Sequence, residues 1–133
     1  MQLDDARAFI REHSRALLAT SRADSTPQLS PVLIGLDAAG NAVVSTREVT
    51  AKVQNLRRNP QAWVCVLSDG FYGPWIQVEG TVRILSLPEA MEPLVDYYRA
   101  VAGEHPDWDD YRAAMRRDRR CLIQIELTRA GPG

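Results

Sequence analysis

The sequence predicts a mainly β, α+β domain in which six short strands form a small β-barrel and helices cover its open side. Three observations carry that prediction. Apolar runs are separated by antiparallel-hairpin turn signals such as D-A-A-G-N, the segment from Ile76 alternates, and the amphipathic helical patterns are few and interspersed among the strands. The six strands are too few for a sandwich with long Greek-key loops.

The elements follow in order. Residues 3–13 open with Asp4 as a candidate N-cap and place Ala6, Phe9, Ile10 and His13 on one side of a short helix. Residues 15–21 form a strand, and the A-D-S-T-P turn leads into a second strand at 28–36. There Leu29, Val32, Ile34 and Leu36 are interrupted by Pro31 and Gly35, and a proline in a strand predicts an edge position or a bulge. Gly40 and Asn41 turn the chain back into a strand at 41–46. Val49, Val53 and Leu56 recur at i, i+4 and i+7, so a helix spans 49–58 and stops at Asn59-Pro60. Residues 61–67 supply the next strand. From Ile76, the residues Ile76, Val78, Val82 and Ile84 face the core, while Gln77, Glu79, Thr81 and Arg83 face water or ligand. Ser86 and Glu89 suggest a capping box for a helix whose buried stripe is Leu94, Val95, Tyr98, Val101 and Ala102, with Pro93 near its start and Gly103 at its end. Asp107 caps a further helix to about Met115, and 120–128 returns to strand.

The bulk properties describe one ordinary domain over residues 1–133, with 45% hydrophobic and 25% charged residues. Disorder is expected at most at residues 130–133. A formal net charge of −1 gives no global field that would favour nucleic acid or an anionic membrane surface. The N-terminus lacks a signal-peptide pattern and no apolar run approaches the roughly twenty residues of a membrane span, so the expected location is the cytoplasm. Cys65 and Cys121 lie in apolar runs and read as reduced core residues. Neither they nor His13 and His105, the only histidines, stand at metal-ligand or triad spacing, so no metal is expected.

The stretch 45–60, S-T-R-E-V-T-A-K-V-Q-N-L-R-R-N-P, carries the chemistry. It joins a strand to a helix while collecting hydroxyls, Arg47 and Lys52. A helix start offers unpaired N–H groups and partial positive charge, which suits an anion. A lysine in the first turn works against the helix dipole unless an anion neutralises it. The residues therefore read as a phosphate cradle, with a solvated surface lysine as the alternative.

Taken together, five segments resemble the split β-barrel superfamily named after pyridoxamine 5′-phosphate oxidase, and within it the branch that uses the deazaflavin coenzyme F420. They are R-x-D-S-T-P-Q-L-S-P-V at 22–32, K-V-Q-N-L-R-R-N-P at 52–60, V-E-G-T-V at 78–82, Y-Y-R-A-V-A-G-E-H-P-D-W-D-D-Y-R-A-A-M at 97–115, and D-R-R at 118–120. Each alone is weak; their combination spans nearly the whole chain. The resemblance implies an FMN-binding-like split barrel that pairs into a homodimer, with the cofactor in the groove between protomers. It places Ser45, Thr46, Arg47 and Lys52 around the cofactor phosphate or tail, and Gln28, Ser30, Pro31 and Val32 along the isoalloxazine-like ring. Thr50 stands where many relatives carry a basic residue, so that contact is either absent or supplied by Arg47. Trp75 of the facing protomer would pack on ring or substrate; an aromatic barrel plug is the alternative.

The implied activity is hydride transfer from reduced F420 to an organic substrate, an enone, a quinone-like compound or a tetrapyrrole such as biliverdin. Because the cofactor carries that chemistry, the lack of a nucleophile and base pair is consistent with it. No side chain stands out as a proton donor, and solvent is expected to fill that role. FMN as cofactor of an oxidase or reductase, and cofactor or tetrapyrrole binding without turnover, are the alternatives.

Overall fold

The computed structural model describes residues 1–131; of the segment expected to be disordered, 132–133 lie outside the described residues. The order is α1 (Leu3–Glu12), β1 (Arg15–Ser21), β2 (Pro27–Leu33), β3 (Gly35–Leu36), β4 (Ala42–Arg47), α2 (Ala51–Arg58), β5 (Gln61–Leu67), β6 (Trp75–Leu85), α3 (Met91–Ala102), α4 (Trp108–Arg117) and β7 (Arg120–Gly131). The strands form one curled sheet in the order β2-β1-β5-β6-β7-β4-β3, antiparallel at every pairing.

Seven strands replace the six expected, because the run 28–36 divides at Ile34. Its side chain is fully buried, and its N–H donates to the Ser14 carbonyl at 2.7 Å instead of continuing the ladder. That switch lets one run end the pairing with β1 and begin the pairing with β4, so β2 and β3 are the two ends of the curled sheet. Pro31 sits on the edge strand β2 in regular register opposite Leu17, which satisfies the proline without a bulge. The irregularity falls instead between Glu79 and Gly80 of β6. There a Cβ on residue 80 would overlap the Glu126 carbonyl, so glycine is required by close backbone approach.

Three expectations at helix ends are corrected. Gln2, not Asp4, is the N-cap of α1, forming a capping box with Asp5. Ser86 and Glu89 form no capping box; α3 starts after Ala90, and Ser86 Oγ instead donates to Glu48 Oε1 at 2.6 Å. Val49 precedes α2 and is 65% exposed, while Val53 and Leu56 are buried as its periodicity suggests. Asp107 does cap α4, accepting from the Asp110 N–H at 3.1 Å, and Gly103 ends α3 at φ 82°.

Two cores lie back to back across part of the sheet. Inward residues such as Leu18, Val44, Val64, Val78, Ile123 and Ile125 fill the barrel together with Ala6 and Ile10 of α1. On the other side of β4 and β7, Val43 and Leu122 pack against Met91, Leu94, Val95, Tyr97, Tyr111 and Met115 of α3 and α4. Coverage on both faces explains the unbroken apolar runs Ala42–Val43–Val44 and Cys121–Leu122–Ile123, which alternation would have interrupted. On the outer face, α3 and α4 leave β2, β1 and β5 uncovered. Leu17, Leu29, Leu33 and Leu67 on the outer face there are exposed, and Trp75 at the start of β6 continues them. Cys121 is buried, as expected, but Cys65 is only half-buried on this outer face; both are free thiols.

Candidate functional site

At the boundary between the helix-covered and bare parts of the sheet runs a groove of about 820 Å³, within the roughly 300–1,000 Å³ of ordinary ligand sites. Edge strand β2 supplies Pro31, Val32 and Leu33; β4 supplies Ser45 and Thr46; α2 supplies Lys52; Tyr97, Tyr98, Tyr111 and Met115 come from α3 and α4, and Arg120 from β7. Arg15, Ala16, Leu17 and Leu67 carry the groove out onto the exposed sheet face.

Its floor is built from β4 and α2. Thr50 is the N-cap residue of α2, but its side chain does not cap: Thr50 Oγ1 donates to the Arg47 carbonyl at 3.0 Å and lies 3.3 Å from Thr46 Oγ1. The N–H groups of the first turn are thus not met by a capping side chain, and that turn holds no acidic residue. Glu48, the one carboxylate in the 45–60 stretch, is fully engaged by Arg57 at 2.5 Å and by Ser86. Lys52 and Arg120 therefore share the groove without a carboxylate partner among the described residues. Burial, and secondarily the Arg120 charge, pull the Lys52 pKa below its ordinary 10.5. Arg47 pairs directly across the ladder from Arg120, a like-charge juxtaposition that costs stability unless an anion intervenes. Arg120 Nε is buried and meets no acceptor in the protein.

The tyrosines build the opposite wall. Tyr97 donates to the Leu33 carbonyl at 2.8 Å, fastening α3 to the free edge of β2, and Tyr111 donates to the Leu94 carbonyl at 2.8 Å. Burial raises both phenols, Tyr111 to about 12, so at neutral pH they are protonated, and their hydrogens are already committed. Tyr98, Tyr111, Trp108 and His105 pack in edge-to-face and tilted contacts with centroids 5.1–5.7 Å apart, which fixes α3 and α4 to each other.

Of the residues singled out in the sequence, Pro31, Val32, Ser45, Thr46 and Lys52 line this groove, and Thr50 is joined to it through Thr46. Gln28 and Ser30 lie on the inner face of β2 outside the lining. Gln28 accepts from Thr20 at 3.4 Å, and Ser30 Oγ is buried without a partner. Arg47 is exposed beside the groove. Trp75 pairs with Leu67, one strand beyond the groove's rim. Sequence reasoning missed Arg15, Arg120 and the three tyrosines as lining. Tyr98 read there only as part of a buried helix stripe, and Tyr97 and Tyr111 only as members of the 97–115 segment; the signal available for Arg120 was its place in D-R-R at the start of β7.

The groove thus gathers Lys52 and Arg120 beside a strand-to-helix turn on a curled antiparallel sheet. The chain matches the pyridoxamine 5′-phosphate oxidase family over residues 3–131 and belongs to that family. Among solved structures it is similar to the conserved hypothetical protein Rv2991 from Mycobacterium tuberculosis, at TM-score 0.78 and 24% identity over 98% of this chain and 82% of that one. It is similar to an F420 reductase at TM-score 0.71 and 20% identity over 94% of both chains. It is also similar to HutZ, the heme storage protein from Vibrio cholerae, at TM-score 0.70 and 14% identity over 98% and 94% of the two chains. At these identities the likeness concerns the fold, which here serves proteins with different named roles. Among the described residues no helix is long and apolar enough to cross a membrane, and no group of three or more His, Cys, Asp or Glu gathers in metal-binding proximity.

Proposed function

We propose that the chain is an oxidoreductase that uses reduced coenzyme F420 to reduce an organic substrate such as an enone, a quinone-like compound or a tetrapyrrole. The observation that carries this reading is the pair Lys52 and Arg120, unneutralised in a groove of ring-binding size. The donor set fits a phosphate-bearing ring coenzyme: two cations and a first helical turn without an acid at one end, and apolar Pro31, Val32 and Leu33 along the edge strand. When bound, the reduced deazaflavin supplies hydride from its carbon 5.

The chain's own residues bind, orient and exclude water. Lys52 and Arg120 hold the phosphate, with Ser45 and Thr46 offering hydroxyls beside it. Tyr97 keeps the β2 edge at fixed distance from β4, so that the ring wall does not drift. With Tyr97 and Tyr111 already donating to carbonyls and held protonated, neither is poised to release a proton, and solvent would supply the proton that balances the hydride added to the substrate. A second copy of the chain on the bare outer face completes the site, because Leu17, Leu33 and Leu67 belong both to that face and to the groove's open side. The protein is expected to act as a homodimer in the cytoplasm.

FMN, which also carries a phosphate, would use the same cations. Fluorescence titration of the purified protein with F420 and with FMN separates the two, and the proposal expects tighter binding of F420. An acceptor panel then follows oxidation of the reduced coenzyme. Tight FMN binding without F420 binding would replace the cofactor assignment, and binding without turnover across the panel would make the protein a carrier.

A further inference from the structure

A second pocket of about 610 Å³ shares Arg120 with the groove and is lined also by Glu48, Ser86, Met91, Arg116 and Arg119. We propose that this pocket is a second anion-binding site, taking a carboxylate or phosphate on Arg116 and Arg119, with Arg120 shared between it and the groove.

The unpaired charge of the lining and the backbone of Arg119 lead there. The lining carries two positive charges in excess, and its only carboxylate, Glu48, is already consumed by Arg57 and Ser86. None of the three arginines has an ion-pair partner among the described residues, and Arg120 Nε is a buried donor without an acceptor. Arg116 in the last turn of α4 is accounted for in part by the helix dipole, but Arg119 and Arg120 lie beyond the helix. Arg119 holds φ 51°, directly after the C-cap of α4, where glycine is the ordinary solution. Its carbonyl accepts from the Glu48 N–H at 3.0 Å, so the strained residue ties two walls of the pocket together. An arginine kept where glycine would be more stable is the kind of backbone outlier that points to a site.

The anion has two possible sources, a second acidic group on the molecule in the groove or a free small anion. The proposal goes beyond the cofactor assignment and has a readout that does not require it. In Lys52→Gln protein, which lacks the groove lysine, inorganic phosphate is expected to raise Tm, and adding Arg119→Gly should abolish most of that gain. Arg119→Gly alone should raise Tm in phosphate-free buffer by relaxing the positive φ, so loss of binding is not confused with loss of folding. If the anion belongs to the groove ligand, Arg119→Gly weakens F420 binding about tenfold while FMN affinity stays unchanged, the loss of one charge-assisted contact. If it is free, the phosphate effect is lost and F420 affinity is unaltered. An equal phosphate effect with and without Arg119, or none in Lys52→Gln protein, together with unchanged F420 affinity, overturns the proposal.

Discussion

Replacing Lys52 with alanine separates binding from folding. In the folded protein the ammonium is partly buried beside Arg120 and paired with no carboxylate, so both desolvation and like charge act against it. Its removal should leave stability at neutral pH unchanged or slightly higher. Binding should suffer: a charge-assisted hydrogen bond to phosphate contributes about 1.5–3 kcal/mol, or roughly ten- to a hundredfold in affinity. The pH dependence has a defined sign. The folded-state pKa lies below the ordinary 10.5, so as pH rises through it the folded protein sheds a proton that the unfolded chain retains, and stability increases across that window. Lys52→Ala should flatten this alkaline rise. A bound phosphate favours the charged lysine, so coenzyme affinity should hold at neutral pH and fall as pH passes the lowered pKa. The assays are coenzyme fluorescence titration and urea unfolding as functions of pH. Unchanged affinity in the variant, or a large loss of apo stability, would refute the reasoning.

Three further outcomes are expected. Asn55→Ala should cost about 1–3 kcal/mol in urea unfolding with unchanged m, because Asn55 Nδ2 donates to fully buried Thr20 Oγ1 at 3.1 Å and its loss leaves that oxygen without a donor, only the hydroxyl's own hydrogen remaining engaged, by Gln28. Gly80→Ala should fall at the upper end of the roughly 1–3 kcal/mol typical of overpacking, since the new methyl meets the Glu126 backbone and not a yielding side chain; circular dichroism melting measures it. Leu29→Asp, on the bare face but outside the groove lining, should convert dimer to monomer in sedimentation velocity and weaken coenzyme binding in parallel. A variant that stays dimeric would place the second copy elsewhere.

Much of the fold was readable because it rests on local patterns. The alternation from Ile76, the proline on β2 and the Asp107 cap each express a short-range rule that the structure obeys. The split at Ile34 was hidden, because an apolar run does not reveal where one strand changes partners. Ser86 looked like a cap since its contact with Glu48 spans 38 residues of chain. The groove's strand and helix-start wall was legible for the same local reason: Ser45, Thr46 and Lys52 lie within one strand-to-helix turn. Its other wall was not. Tyr97 and Tyr111 meet Lys52 only because α3 and α4 pack on the outer face of β4 and β7, and Arg120 only because β7 pairs with β4, arrangements that no window of sequence contains.

The most direct test of the central claim is a crystal structure of the protein grown with saturating F420. The account predicts a phosphate oxygen within roughly 2.7–3.2 Å of Lys52 Nζ, and a ring against Pro31 and Val32. Coenzyme bound away from Lys52 and Arg120, or none bound at all, would contradict it.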